Sequence, residues 1–349
     1  MKEKIDAILR AAIEYKASDI HLTVGVPPVM RINGDLRRYG TDLLLPDDTE
    51  SMAKAIIPEN MWDLFKEKGE LDFSYGVAGS SRFRVNSYHQ RKSVSLALRV
   101  VASKVPSIEE LDLPDIVSKL MEKPQGLILV TGPTGSGKST TLASMIDYMN
   151  RTMHKHIITL EDPIEYLHRH GNSIVDQREV GFDTNNYASG LKAALRQDPD
   201  VILVGEMRDL ETMAIAITAA ETGHLVLGTL HTSSAPTTIN RIIDVFPSVQ
   251  QPQIRIQLAS VLVGVISQRL FPTADKKGRK AATEILVNNA AIANLIRNEK
   301  IHQIQSTMQT SRAQGMHTLE MSIRDLIDRN IIQKESATQY LHEKLLMNG

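Results

Sequence analysis

Apolar residues at Ile5, Ile8, Leu9, Ala12 and Ile13 recur every three or four positions, the period of a helix burying one face, until Ser18-Asp19 breaks the pattern. Beyond that point the period becomes two. Ile20, Leu22 and Val24 alternate with polar neighbours, Pro27-Pro28 turns the chain, and 29–32 and 36–39 read as short strands. Asn33-Gly34-Asp35 between them supplies the left-handed residues of a tight hairpin. Helices are predicted over 48–57 and 61–66, then strands over 71–77, 82–89 and 94–101, with Gly79-Ser80 and Arg91-Lys92 in their turns. The first hundred residues therefore predict a small α+β domain.

From Lys104 to Pro114 two prolines and scattered charges interrupt the patterning, as a linker does. Apolar strand-like runs at 126–130, 157–160, 201–204 and 225–230 then alternate with helical stretches at 140–149, 187–195 and 210–221. That alternation predicts an α/β unit around a mainly parallel sheet. Past Pro272 come a basic loop, a short strand at 282–287 and about four helices. The expected organisation is an N-terminal domain over 1–102, a linker over 103–115, an α/β core over 116–272 and a C-terminal strand with a helical subdomain over 273–349.

Composition narrows the class. The 349 residues are 42% hydrophobic and 23% charged, the proportions of a folded chain, and suffice for about two domains at roughly 150 residues each. Forty Lys plus Arg against 41 Asp plus Glu leave a charge of -1, without the basic excess that phosphate-backbone binding requires, so no nucleic-acid partner is expected. With no cysteine, disulfides, thiolate zinc sites and cysteine nucleophiles are excluded. Runs such as 127–130 are far shorter than the ~18 residues of a spanning helix, so the expectation is a cytoplasmic protein without an integral membrane segment. Docking on a membrane partner requires no such span.

Gly132-Pro133-Thr134-Gly135-Ser136-Gly137-Lys138-Ser139 fits the phosphate-binding pattern G-x-x-x-x-G-K-[ST], with an apolar strand before it and a helix-forming run after it. Glycines let backbone N–H groups turn inward as an anion nest, and the helix presents its positive end to the same phosphates. Lys138 is expected to reach the β- and γ-phosphates of ATP. Ser139 is expected to bind Mg²⁺ through its hydroxyl, with Thr140 continuing the helix start.

The strand at 157–160 leads into Glu161-Asp162-Pro163-Ile164-Glu165, which places acids at the carboxyl edge of the sheet where ligands bind. Glu165 is a candidate for positioning water or accepting its proton; the alternative is a surface cluster. The strand at 201–204 ends in Gly205-Glu206, whereas P-loop enzymes ordinarily have a metal-binding Asp at such a strand end. Glu206 either orients the attacking water or holds Mg²⁺ through a water molecule. His224 and His231 stand at opposite ends of a further strand, seven residues apart and so on opposite faces, which disfavours a shared metal. His231 is the better γ-phosphate contact, and His224 is open to a purely structural reading.

In the N-terminal domain, Arg82 and Arg84 share one strand face opposite Phe83 and Val85, and Arg99 occupies the polar phase of the next strand. They form either a solvated basic face or a set of arginine fingers. A finger supplies roughly 10³ to 10⁵ in rate, about 4 to 7 kcal/mol.

Together these segments resemble the secretion ATPase superfamily, and most closely its PilT-type retraction ATPases of type IV pili. Residues 132–140 are similar to that family's Walker A, 161–165 to its aspartate box, 204–209 to its atypical Walker B, and 222–232 to its histidine box. Ala17-Ser18-Asp19-Ile20-His21-Leu22 and 82–86 resemble its PAS-like N-terminal domain, and Gln268-Arg269-Leu270 the segment after its RecA-like core. The resemblance implies a homohexameric ring whose N-terminal arginines lie near a neighbour's nucleotide, contacts from Glu161, Asp162 and His224 in the nucleotide boxes, and catalysis by Glu206 and Glu165. It further implies a peripheral place at the inner membrane, where the ring acts on a pilus platform protein. A second pilus ATPase is left open as a partner.

Assembly and type II secretion ATPases share the four boxes, but usually add an N-terminal domain and often a four-cysteine zinc insertion. The helix and hairpin that open this sequence, and the missing cysteines, favour retraction. One departure stands against it. Where the family usually reads Ala-Ile-Arg, this chain reads Ala291-Ile292-Ala293, with Arg297 one turn later. That leaves room for an accessory paralogue acting as a nucleotide-gated scaffold.

Overall fold

The computed structural model describes residues 1–77, 81–101 and 104–341. They divide into two units, Met1–Lys104 with Glu165–Leu167, and Val105–Ile164 with His168 onward. The turn expected at Gly79-Ser80 lies outside the described residues.

In the first unit the helical period closes as α1 (Lys2–Glu14), which buries Ile5, Ile8, Leu9 and Ala12. Strands β1 (Asp19–Leu22), β2 (Val29–Ile32) and β3 (Asp35–Arg38) follow. Asn33 and Gly34 take the positive φ that the hairpin between β2 and β3 requires. Helices α2 (Pro46–Ile56) and α3 (Trp62–Lys68) precede β4 (Glu70–Gly76), β5 (Arg82–Gln90) and β6 (Ser93–Val100). The antiparallel sheet runs β3-β2-β1-β6-β5-β4. Phe73, Phe83, Val85, Leu96 and Leu98 share one buried core with α1 and with Phe65 of α3, which leaves the arginines of β5 and β6 on the other face.

The second unit starts earlier than the linker reading allows. Ile108 and Leu113 are buried in its core, because apolar residues between the prolines dock before the first helix, α4 (Ile116–Met121). The chain continues through β7 (Gly126–Thr131), α5 (Lys138–Thr152), β8 (His156–Glu161), β9 (Ile174–Glu179), α6 (Tyr187–Ala194), β10 (Val201–Val204), α7 (Leu210–Glu221) and β11 (Leu225–Leu230). Helices α8 (Ala235–Asp244) and α9 (Gln251–Val261) lead into the long β12 (Leu262–Pro272) and β13 (Arg279–Val287). The sheet order is β13-β12-β7-β11-β10-β8-β9, parallel from β12 to β9, with β13 antiparallel at the edge. Both faces of its centre are covered. Leu127 and Leu129 pack into one core, Ile128 and Val130 into the other, which is why β7 reads as a continuous apolar run.

In place of about four C-terminal helices, the described residues contain α10 (Ala290–Arg297), α11 (Ile304–Thr310) and α12 (Leu319–Asp328), with four single turns of 3-10 helix. In α10 Ala293 faces the core between Ile292 and Ile296, while Arg297 is exposed. No helix among the described residues is long and apolar enough to cross a membrane.

Candidate active site

The site grows from the carboxyl end of β7. Gly132 leaves the strand at φ +146°, and a Cβ there would stand 2.4 Å from the Gln268 carbonyl oxygen and 2.6 Å from Ser136 Oγ. Gly137 adopts φ +89° at the cap of α5, 3.1 Å in the same sense from Gln268 Nε2. Only glycine satisfies both the conformation and the closeness. Helix α5 begins at Lys138, so its first-turn N–H groups end at the loop. The Ser136 hydroxyl is buried without a hydrogen-bond partner. An oxygen-rich anion laid in this cradle would answer both.

Lys138 donates from Nζ to the carbonyls of Gly132 at 2.8 Å and Pro133 at 3.2 Å, and lies 3.5 Å from His231 Nδ1. Burial pulls its pKa below the usual lysine value, against the opposing charge of Glu206. Loop carbonyls thus hold the ammonium where phosphate oxygens are expected to replace them. Pro133, Gly137 and Thr140 are half-buried; Thr134, Gly135 and Ser139 are exposed, which leaves the Ser139 hydroxyl open to a ligand.

The tip of β10 explains the departure at Gly205. A Cβ there would come within 2.9 Å of the Leu160 carbonyl oxygen and 3.0 Å of Tyr187 Oη, so an Asp has no room. The acid falls one residue later. Glu206, only 18% exposed, accepts from His231 Nε2 at 2.8 Å and from the guanidinium of Arg208. Tyr187, at the start of α6, lies beside it with its phenol pKa driven up by burial and by the charges of Asp162, Glu206 and Glu161.

Glu161 Oε1 accepts from Thr159 Oγ1 at 2.6 Å and Gln177 Nε2 at 3.0 Å, Asp162 is exposed, and the Asp162-Pro163 peptide is cis. Glu165 is exposed and counts with the first unit. His224 is not brought to the loop. It stands at the amino end of β11, where its Nδ1 lies 3.1 Å from the Ala219 carbonyl in the last turn of α7, a full strand from the carboxyl edge. Among the described residues no three His, Cys, Asp or Glu could jointly hold a metal. Magnesium asks for less, since it keeps its waters and binds through one or two protein oxygens plus phosphates.

The first unit carries its own charged row. Registers align Arg31, Asp19, Arg99, Arg84 and Ser74 on β2, β1, β6, β5 and β4. Arg99 Nε donates to Asp19 at 2.9 Å, which relieves the like charge of Arg84 directly opposite. Burial would raise the Asp19 pKa, but hydrogen bonds from Ser18 and Arg99 and the charge of Arg99 together bring it below the usual value. Of the three candidate fingers, Arg99 is committed to this pair, Arg82 is half-buried and Arg84 is exposed.

Sequence reasoning did not assign roles to Arg208, Tyr187, Thr141 or Gln268. For Gln268 a signal existed: Ser267-Gln268 is a polar pair inside an apolar strand run.

A phosphate cradle, a lysine at its mouth and an acid-histidine pair on the neighbouring strand tips define a nucleotide-binding P-loop ATPase. The chain belongs to the type II/IV secretion system protein family, whose model matches residues 1–347. It is 46% identical to the type IV pilus retractation ATPase PilT of Pseudomonas aeruginosa over 96% of this chain and 97% of that one. It is 41% identical to the type IV pilus ATPase PilU of the same organism over 96% and 87%. Among solved structures, the pilus retraction motor PilT with bound ADP matches at 50% identity and a TM-score of 0.89, over 97% of both chains. The α/β architecture is also that of the Legionella pneumophila ATPase DotB, at 27% identity and a TM-score of 0.85.

Proposed function

We propose that the protein hydrolyses ATP to power retraction of a type IV pilus. The observation that carries the chemistry is Glu206, held by His231 on the strand tips beside the cradle of Lys138. In this reading the second unit holds a RecA-like core over 116–272, against which the segment 105–115 docks, and a C-terminal subdomain over 273–349, and residues 1–102 form a PAS-like domain. The loop of 132–140 receives the triphosphate; the Ser139 hydroxyl would hold Mg²⁺, which would supply charge neutralisation for the phosphates. Glu206 takes the proton of the attacking water, with His231 directed at the γ-phosphate and Glu161 and Asp162 in contact with the nucleotide. Arg84 serves as the finger on a neighbouring subunit's nucleotide in a homohexamer. The ring works in the cytoplasm at the inner-membrane platform of the pilus.

A second reading is supported by Ala293. At the position where the resemblance leads one to expect arginine, the side chain is small and turned inward, which suits an accessory ATPase beside a principal motor. Type II secretion is less well supported, because the type II secretion system protein E of Pseudomonas aeruginosa is only 38% identical over 76% of this chain, against 46% over 96% for PilT. Deleting the gene and following labelled pili decides direction. Fibres that extend and no longer shorten are expected; loss of fibres would mark an assembly motor, and unchanged retraction an accessory one.

A further inference from the structure

Gln268 touches the phosphate loop with every polar atom it offers there. Its side chain is 2% exposed. Its Nε2 donates to the Ser136 carbonyl at 2.7 Å, and its Oε1 accepts from Thr141 Oγ1, in the first turn of α5, at 2.9 Å. Its own carbonyl oxygen fills the space beside Gly132, and its Nε2 that beside Gly137. One residue earlier, Ser267 shares a 2.7 Å hydrogen bond with Thr131, the last residue of β7. Strand β12 therefore braces the loop at its entry, its middle and its exit.

We propose that Gln268 is a positioning residue for the nucleotide, setting the shape of the loop through Ser136 and Thr141. This rests on the assignment of 132–140 as the triphosphate site. Both arms of the amide are needed. An amide both donates and accepts, so one end fixes a loop carbonyl pointing away from the cradle while the other fixes the start of the helix. With the Ser136 carbonyl held back, the neighbouring N–H groups face the phosphates. Without that restraint the loop carbonyls are free to turn toward the anion and repel it. An apolar residue of the same size fills the volume and loses the restraint.

The test is ADP binding to the full chain by titration calorimetry, with thermal unfolding in parallel. Wild type binding ADP, and Lys138→Ala not binding it, establish the parent reading independently of Gln268; wild type failing to bind would overturn that reading first. Gln268→Leu is expected to weaken ADP at least tenfold with a melting temperature close to wild type. Gln268→Glu keeps the acceptor for Thr141 and regains the donor only when protonated. Its affinity relative to wild type is therefore expected to recover as pH is lowered from 8 to 6, a pH dependence that space-filling alone does not produce. Thr141→Val is expected to weaken ADP at least threefold in the wild type and to add less in the Gln268→Leu background. ADP affinity within twofold of wild type for Gln268→Leu overturns the proposal. Should that variant not fold, unaltered affinity in Thr141→Val overturns it and the threefold loss upholds it.

Discussion

His231 Nε2 lies 2.8 Å from Glu206 Oε1, and the other ring nitrogen of the same histidine lies 3.5 Å from Lys138 Nζ. One imidazole thus spans the acid of β10 and the lysine of the loop, and any phosphate displacing the lysine from its carbonyls arrives beside both. Glu206→Gln keeps the shape and an acceptor but removes the charge. Turnover is expected to fall by roughly 10² to 10⁴ with ATP still bound, since that is the usual share of a general base. His231→Ala is expected to cost up to about 10². Because the two residues form one network, the double variant should lose less than the product of the two factors. Phosphate release and nucleotide titration on the same preparations read this directly, and turnover indifferent to Glu206→Gln would remove it from the chemistry.

Arg84 and Arg99 are both exposed and stand opposite each other, but Arg99 is held by Asp19. Arg84→Ala is therefore expected to reduce phosphate release far more than ATP affinity, and Arg99→Ala to do less. An exposed pair such as Arg99–Asp19 is worth no more than about 1 kcal/mol of stability, so neither variant should unfold the domain. Mixing Arg84→Ala with Glu206→Gln subunits should restore part of the activity if the finger acts across an interface. No rescue at any ratio would place it elsewhere.

What the sequence made legible is what is local. The apolar run of β7, the glycine spacing and the helix after it fix one another within a score of residues, so the cradle is legible in that stretch alone. The brace by Gln268 was not, because it joins positions 132 residues apart and its polarity reads as a mere break in an apolar strand. Likewise the register setting Asp19 beside Arg99 spans 80 residues and removes one of three apparently equivalent arginines. Strand β9 escaped notice because it is an edge: Ile174 is exposed, and the alternation after Val175 is weak. The histidine box implies a nucleotide contact for His224, while the residue alone equally allows a structural role, and its ring lies against the Ala219 carbonyl at the end of α7.

Gly205 is limited by space alone, its φ being unremarkable for any residue. A methyl group there would press on the Leu160 carbonyl and on Tyr187 Oη, and the backbone partner has little freedom to retreat. Gly205→Ala is expected to cost about 1 to 3 kcal/mol. In a unit of this size that is about 2 to 4 °C of melting temperature per kcal/mol. It should also shift Glu206 and depress turnover. Gly205→Asp, which restores the acid ordinary P-loop enzymes have near this point, is expected to be worse and to gain no magnesium affinity. Unchanged melting in the alanine variant would show that the tip of β10 relaxes freely.

Glu284 gives a pH signature remote from the nucleotide. On β13 it is 4% exposed and accepts from the Ala235 N–H at 2.7 Å and the Leu319 N–H at 3.5 Å, so one carboxyl serves the amino ends of α8 and α12. Burial pushes its pKa above the usual glutamate value, and the two backbone donors only partly oppose this. The folded state therefore holds the proton more tightly than the unfolded chain. The stability this contributes is full below the unfolded value near 4.5 and is lost as pH rises through the folded one. Glu284→Gln keeps an acceptor for Ala235 without a charge to bury. Its melting temperature relative to wild type is expected to rise as the pH climbs from 4.5 and to level off once the pH passes the folded value of Glu284. Glu284→Ala instead strands both N–H groups and should lose about 1 to 3 kcal/mol at every pH. Melting curves of the three proteins across that range distinguish a buried acid that is tolerated for its hydrogen bonds from one needed for its charge: in the latter case Glu284→Gln would fall with Glu284→Ala.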